Sequence, residues 1–356
     1  MWAIGAVASI FLLVLLAIHL TRSGEYRGPV SDHFDGSVFR NESGTRDRPS
    51  LLRALTWNLN RERAVWPERE AVAPGPRPPE RVGNGELRVT FVGHATVLIQ
   101  VDGLNLLIDP VWSDRIGPFS WLGATRHRSP GIRFEDLPPI DLVLVSHDHY
   151  DHLDLPTLKR LDSANPGMKS VVPLGVGGYL AKNGIKAESI ELDWWQERSI
   201  GTTKITAIPA AHWSGRGVGP QNRTLWVGYF IAGSRTVYCA GDTGWGPHFK
   251  AVRERLGRPQ LAILPVGAYK PRWFMSPQHI DPAEAVAAAK ELGAQVSIPI
   301  HYGTFNLADD GPTEALDDLS SHLVGGDSPA FLVLKEGEGR SIENVVPEDL
   351  MDGRTE

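Results

Sequence analysis

The sequence predicts an α/β fold in which sheets pack on each other with helices outside. Three observations lead there. Short alternating runs joined by tight turns begin at residue 87. A fully apolar run, Ile140–Val145, suits a strand covered on both faces. Later apolar runs alternate with helical patterns. Composition agrees, since 42% hydrophobic and 22% charged residues over 356 positions make a globular balance rather than a disordered one.

The N-terminus reads differently from the rest. Trp2–Leu20 carries no Asp, Glu, Lys or Arg, and as a helix it would reach about 28 Å, close to the roughly 30 Å of a bilayer core. No positive charge precedes it beyond the amino terminus, and Ala17-Ile18-His19-Leu20 makes a poor cleavage site. Residues 1–21 are therefore expected to form an uncleaved transmembrane anchor. Arg22 and Arg27 follow it, which favours a cytoplasmic body. Residues 22–86 read as an Arg/Pro-rich extension and linker, with Ala73–Glu80 too rich in proline for helix or central strand. Within it, Leu51, Leu52, Leu55, Trp57, Val65 and Trp66 fit either a short helix packed on the main domain or a segment lying in a lipid headgroup layer.

Residues 87–356 are expected to form the main domain. Leu87–Val92 and Thr96–Val101 are expected strands around a Gly93-His94 turn. Asp102-Gly103 marks a hairpin into Leu104–Ile108. Further strands are expected at Lys204–Ile208, Leu225–Ala232, Thr236–Cys239, Leu261–Pro265 and Val296–Ile300. Helices are expected near Leu155–Leu161 and Ala283–Leu292. The second follows Asp281-Pro282, a cap residue and a proline at the first helical position, with Glu284 in the first turn.

Charge and cysteine content exclude several classes. A net charge of −6 speaks against a nucleic-acid binder that relies on bulk positive charge. The single cysteine, Cys239, excludes an intramolecular disulfide framework and a cysteine zinc finger.

The twelve histidines are the informative residues. Ser146–Asp154 reads SHDHYDHLD, with three histidines and three aspartates in nine residues directly after the apolar run. Burying such groups unpaired costs several kcal/mol each. His147 and His149, two apart, can grip one cation, and Asp151 with His152 a second. Imidazole with carboxylate suits Zn²⁺, with Fe or Mn as alternatives. Further candidates follow other strands: His212 in IPAAHW, Asp242 in AGDTGW between Gly241 and Gly244, and His301 in PIHYGTF.

This pattern resembles the metallo-β-lactamase superfamily, and more closely its N-acylphosphatidylethanolamine-hydrolysing phospholipase D group and their bacterial relatives. The matching strings are FVGHATVLI, IDPVWS, LPPIDLVLVSHDHYDHLD, VPLG, ELDWW, AGDTGW, LPVGAYKPRWFMSPQHIDPAEAV and PIHYGTF, with SDHFDG at Ser31–Gly36 also similar. The resemblance implies a four-layer αββα sandwich with a binuclear metal site at one edge. It implies His147, His149 and His212 as ligands of one metal, Asp151, His152 and His301 of the other, and Asp242 bridging both. Two metals so placed would acidify a shared water, with Asp151 and Asp242 in the catalytic set. The implied reaction is cleavage of N-acylphosphatidylethanolamine to N-acylethanolamine and phosphatidate by a metal-bridging hydroxide. His279 is expected to touch the phosphate or protonate the leaving group, and His94 to orient a ligand. Tyr269 and Arg272 are expected at an anionic substrate, and Trp273, Phe274 and Met275 along an acyl groove. The expected partner is a phospholipid in a membrane, not a nucleic acid, with a homodimer one possible assembly. Rival readings are a same-fold hydrolase of a soluble ester, lactone or phosphodiester, a nuclease, and a non-enzymatic metal-binding protein of the envelope.

Overall fold

The computed structural model describes residues 23–42, 51–217, 219–324 and 328–342. The expected anchor at 1–21 lies outside these residues. Among the described residues no helix is long and apolar enough to cross a membrane.

Helix α1 (Leu51–Leu59) comes first. Strands β1 (Leu87–Gly93), β2 (Thr96–Val101) and β3 (Leu104–Ile108) then form an antiparallel meander, as their turn residues direct. A separate hairpin follows, β4 (Arg115–Phe119) with β5 (Leu122–Thr125). The apolar run at 140–145 supplies β6 (Leu142–Leu144), which lies parallel to β3. Helix α2 (Leu155–Ala164), β7 (Lys169–Pro173), α3 (Val176–Lys182) and β8 (Glu188–Leu192) extend this sheet by parallel steps.

The second half repeats the logic. Strands β9 (Glu197–Ile200), β10 (Thr203–Ile208), β11 (Gly228–Ala232) and β12 (Thr236–Cys239) are antiparallel neighbours. After α4 (His248–Leu256), β13 (Leu261–Pro265) joins in parallel. Helices α5 (Arg272–Met275) and α6 (Pro282–Leu292) precede β14 (Val296–Ile300), also parallel. Helix α7 (Glu314–His322) leads to β15 (Gly339–Ser341), which returns to pair with β1. The sheets have the orders β15-β1-β2-β3-β6-β7-β8 and β14-β13-β12-β11-β10-β9.

Burial shows why these strands read as nearly continuous apolar runs. One face of β1–β3, with Val89, Phe91, Val97, Ile99 and Leu106, joins Ile205, Tyr229, Ile231 and Ile263 of the second sheet in a single core. The opposite face, with Leu98, Leu107 and Val143, packs on Leu158 and Leu161 of α2 and Leu180 of α3. Helix α6 covers the second sheet through Ala285, Ala288, Ala289 and Leu292. The result is a layered α/β sandwich with two mixed sheets in the middle, as the resemblance implies.

Residues before 87 also reach this core. Phe34 and Phe39 are each 1% exposed and belong to the inter-sheet cluster. Helix α1 packs Ala54 and Trp57 against Phe274 and Met275, while Leu52, Leu55 and Leu59 on its other side are exposed. The cap signal at Asp281 is a full capping box: Glu284 N donates to Asp281 Oδ1 at 2.8 Å and Asp281 N to Glu284 Oε2 at 3.3 Å.

Candidate metal centre

The loop after β6 is where the chemistry gathers. It leaves the sheet at Val145 and coils at once, with His152 N and Leu153 N both donating to His149 O. That turn brings Asp151 and His152 back beside His147. Three nitrogens converge first: His149 Nδ1 is 2.8 Å from His147 Nε2 and 3.3 Å from His212 Nε2. A second group forms next to it. Asp151 Oδ2 lies 3.4 Å from His152 Nε2 and 3.3 Å from His301 Nε2. Asp242 Oδ2 sits between the groups, 3.2 Å from His152 Nε2 and 3.1 Å from His301 Nε2, and 3.9 and 3.8 Å from His147 and His212 Nε2. The seven side chains proposed from sequence therefore meet in one place.

The second sheet supplies its share from strand ends. His212 follows β10, Asp242 follows β12 and His301 follows β14. Two glycines make the approach feasible. Gly241, at φ +62, leaves only 2.8 Å between a would-be Cβ and the Ser146 Cβ. At Gly267 a Cβ would lie 2.0 Å from His301 O, so the 264–269 segment can pass the His301 backbone only without a side chain. His301 itself holds φ at 65, a costly conformation for a non-glycine residue, and its N–H donates to His94 O at 2.9 Å.

Two residues aim the ligands from behind. Asp109 is fully buried and accepts from Ser146 N, Ser146 Oγ and His152 Nδ1 at 2.7, 2.7 and 2.8 Å. That bond puts the His152 proton on Nδ1 and leaves Nε2 facing Asp242. His212 Nδ1 donates to Gln278 O at 2.9 Å, which frees its Nε2 in the same way. His94, expected to orient a ligand, lies with its Nε2 3.0 Å from Asp151 Oδ2. Sequence reasoning passed over Asp109, although an aspartate ending a buried strand in IDPVWS is itself a signal. We expect Asp109→Asn to weaken metal binding about 10- to 100-fold by releasing His152. Chelator competition checks this, and unchanged affinity would remove Asp109 from the centre.

Electrostatics divides the groups. Burial pushes His147 and His149 well below the usual histidine range, with neighbouring imidazoles adding to the effect, and lowers His212 to about 4. Burial also takes His94 to about 3. At His301 burial is outweighed by Asp242 and Asp151, which lift it to about 9. His152 is raised well above its usual value, with Asp242, Asp151 and Asp109 overcoming burial. Burial alone would raise Asp151 and Asp242, but the adjacent His152 and His301 hold both far below the carboxylate range. So the first trio offers neutral imidazole lone pairs, and the second group carries carboxylate charge that asks for a cation.

The residues fit a metal pair. His149 Nε2, His152 Nε2 and Asp242 Oδ1 are buried without a hydrogen-bond partner, a costly arrangement unless a cation compensates it. Among the described residues, four overlapping groups place their donor atoms within 4.8 Å of one another: His94/Asp151/His152/His301, His147/His149/His212, His147/His152/Asp242 and His212/Asp242/His279. Imidazole and carboxylate donors of this kind suit first-row divalent ions.

The centre forms the floor of a cavity of about 440 Å³. His149, Asp151, Asp242, His279 and His301 face it, and Trp57, Ile116, Phe274, Met275 and Leu307 form apolar walls. His279 is thus in the site, with Nδ1 4.0 Å from Asp242 Oδ2 and no hydrogen-bond partner. Burial pushes its pKa well below the usual value, so the ring is neutral at pH 7. Phe274 and Met275 line the cavity.

Three other expectations are corrected. Arg272 is engaged by the α6 cap, with Nε 3.1 Å from Asp281 Oδ2 and Nη2 2.6 Å from Glu284 Oε2. Tyr269 is 3% exposed and its hydroxyl donates to Asp318. Trp273 is 49% exposed. None of the three lines the cavity: α5 turns Phe274 and Met275 inward and leaves Arg272 and Trp273 outside, and Tyr269, before α5, is turned to Asp318.

Residues 104–302 match the family described as the Beta-lactamase superfamily domain. The chain belongs to that superfamily. Its relatives within it include metal-dependent hydrolases. It is 42% identical over 238 residues to the N-acyl-phosphatidylethanolamine-hydrolyzing phospholipase D 1 of Caenorhabditis elegans, which covers 64% of this chain. The chain spans 66% of that nematode protein's length. A metal-dependent hydrolase of Methanopyrus kandleri is 33% identical over 242 residues, 64% of this chain and 89% of that one. Among solved structures, a metallo hydrolase from Ignicoccus hospitalis superposes with a TM-score of 0.54 at 24% identity, over 72% of this chain and 98% of that one. That likeness speaks to the fold of this superfamily member.

Proposed function

We propose that the protein is a binuclear zinc phosphodiesterase that hydrolyses a phospholipid of the N-acylphosphatidylethanolamine type, releasing N-acylethanolamine and phosphatidate. The observation that carries this reading is one cavity with two characters. Its floor is the His/Asp centre and its walls are Trp57, Ile116, Phe274, Met275 and Leu307. A substrate with a phosphodiester beside long acyl chains matches both surfaces. The similarity to the nematode phospholipase D supports the same chemistry, and the charge-free run Trp2–Leu20 supports a site working close to a bilayer.

In this reading His147, His149 and His212 hold one ion, Asp151, His152 and His301 the other, and Asp242 both. When bound, the pair supplies Lewis-acid stabilisation of phosphate charge and acidifies water. The chain's own contributions are orientation and proton handling. Asp109 and Gln278 O fix the tautomers of His152 and His212. The neutral His279 offers a ring nitrogen to the phosphate or leaving oxygen from the wall. Phe274, stacked on Trp57 at 4.6 Å, holds an acyl chain away from water.

The test uses zinc-loaded protein on vesicles containing N-acylphosphatidylethanolamine, beside soluble chromogenic phosphodiesters and lactones. Vesicle turnover producing phosphatidate is expected. Faster turnover of a lactone than of any phosphodiester would refute the reading, as would retained zinc with no turnover. We further expect Phe274→Ala to raise KM for the vesicle lipid about 10-fold through lost apolar contact, with kcat/KM for a soluble diester unchanged. An equal loss on both substrates would remove Phe274 from chain binding.

A further inference from the structure

We propose that Asn41 is a positioning residue for the His212 ligand, and that the segment 23–42, which precedes the family match at 104–302, is thereby part of the metal centre. This rests on the metal-centre reading and not on the lipid substrate.

The His212 turn needs an outside hold. β10 ends at Ile208, so the backbone at His212 has left the sheet, yet the residue is only 2% exposed. Its buried polar groups require partners. Asn41 supplies both from 171 positions away. Asn41 Nδ2 donates to His212 O at 3.0 Å, and Asn41 Oδ1 accepts from His212 N at 3.0 Å. A side-chain amide here does what a neighbouring strand would do, fixing both sides of one residue's backbone.

Asn41 is itself held. Its Oδ1 also accepts from Trp226 Nε1 at 2.9 Å, and that indole donates to Ala210 O at 2.9 Å, two residues before the ligand. Two positions earlier, Phe39 N donates to Asn222 O at 2.7 Å. Asn222 pairs in turn with Ser214, through Asn222 N to Ser214 O at 2.8 Å and Ser214 N to Asn222 Oδ1 at 3.1 Å. The strip 39–41 therefore grips the 210–214 turn on both sides of His212. The strip is anchored by buried Phe34 and Phe39 and by His33, whose ring stacks on Trp194 at 4.3 Å.

Ring and backbone are fixed separately. Gln278 O fixes the imidazole rotation through Nδ1, and Asn41 fixes where the Cα stands. Together they aim Nε2 at His147 and His149. Displacement of a ligand by a fraction of an ångström weakens a metal site without unfolding the protein.

The experiment measures zinc affinity of the full chain by competition with a chromogenic chelator, resolving the two equivalents. Wild type, Asn41→Ala, Asn41→Asp, His212→Ala and the Asn41→Ala/His212→Ala double variant are compared, together with thermal midpoints under chelation. Asn41→Ala is expected to weaken one equivalent about 10- to 100-fold, the same one that His212→Ala weakens. In the double variant it should add nothing. Asn41→Asp keeps the acceptor for His212 N but sets a carboxylate oxygen against His212 O, so it should weaken the same equivalent at least as much as alanine does. Three results overturn the proposal: wild-type affinity in Asn41→Ala, a loss that adds in full to that of His212→Ala, or equal weakening of both equivalents together with a lowered chelated midpoint. A wild-type chain that binds no zinc would overturn the centre itself and the proposal with it.

Discussion

Asp242→Ala is expected to abolish stable binding of the metal pair and to lower kcat/KM by about 1,000-fold or more, the scale for residues that act as one catalytic unit. The reason is geometric. Asp242 Oδ2 lies within 3.1–3.9 Å of Nε2 in His152, His301, His147 and His212. Among the described residues no other carboxylate lies within 4.0 Å of nitrogens in both groups. Its removal leaves Asp151 to balance the charge of a whole centre, and the imidazoles that flank it lose the anion that draws them together. Asp242→Asn keeps the shape without the charge and separates the two causes. Metal content per chain and turnover on vesicles, with circular dichroism as a check on folding, decide the matter. A variant with two metals and full turnover would refute the bridging role.

The largest effect on stability is expected at Trp226. Trp226→Ala should cost about 4 kcal/mol, within the range for emptying a buried aromatic site. The side chain is 1% exposed and heads the fully buried residues by volume. Its ring meets Trp194 edge-on at 6.5 Å, and its indole N–H serves Asn41 Oδ1 and Ala210 O together. Truncation opens a void and leaves a buried acceptor short of a donor. Urea unfolding under chelation measures the loss. A cost below about 1 kcal/mol, typical of a surface change, would show that the core closes over the gap.

The strands that sequence reading placed were those whose chemistry is local. Thr236–Cys239, Leu261–Pro265 and Val296–Ile300 are short apolar runs bounded by turn residues, and they are strands with those limits. The expected strand at Leu225–Ala232 begins only at Gly228, because Leu225–Val227 pair across to Leu174 and Ser146 instead of continuing the ladder. The β4–β5 hairpin was invisible, since Gly117, Pro118 and Gly123 interrupt any alternation. β8 and β9 were missed because edge strands with exposed Glu188, Glu197 and Arg198 look like loops.

The site divides in the same way. His147, His149, Asp151 and His152 stood out because four ligand-type residues directly after an apolar run are costly to bury unpaired. Arg272 is expected from sequence at an anionic substrate, but the fold sets Asp281 and Glu284 beside it as its partners. Asn41 carries no local sign at all, as its meaning depends on a turn 171 residues later.

One feature of the architecture reaches further. His147, His149, Asp151 and His152 hang from the first sheet, while His212, Asp242 and His301 hang from the second. On the proposed reading, cations bound there would act as a rivet through the seam of a sandwich that its shared apolar core already closes. Loss of the ions would then be felt first along that working edge, while the core behind it stays shut.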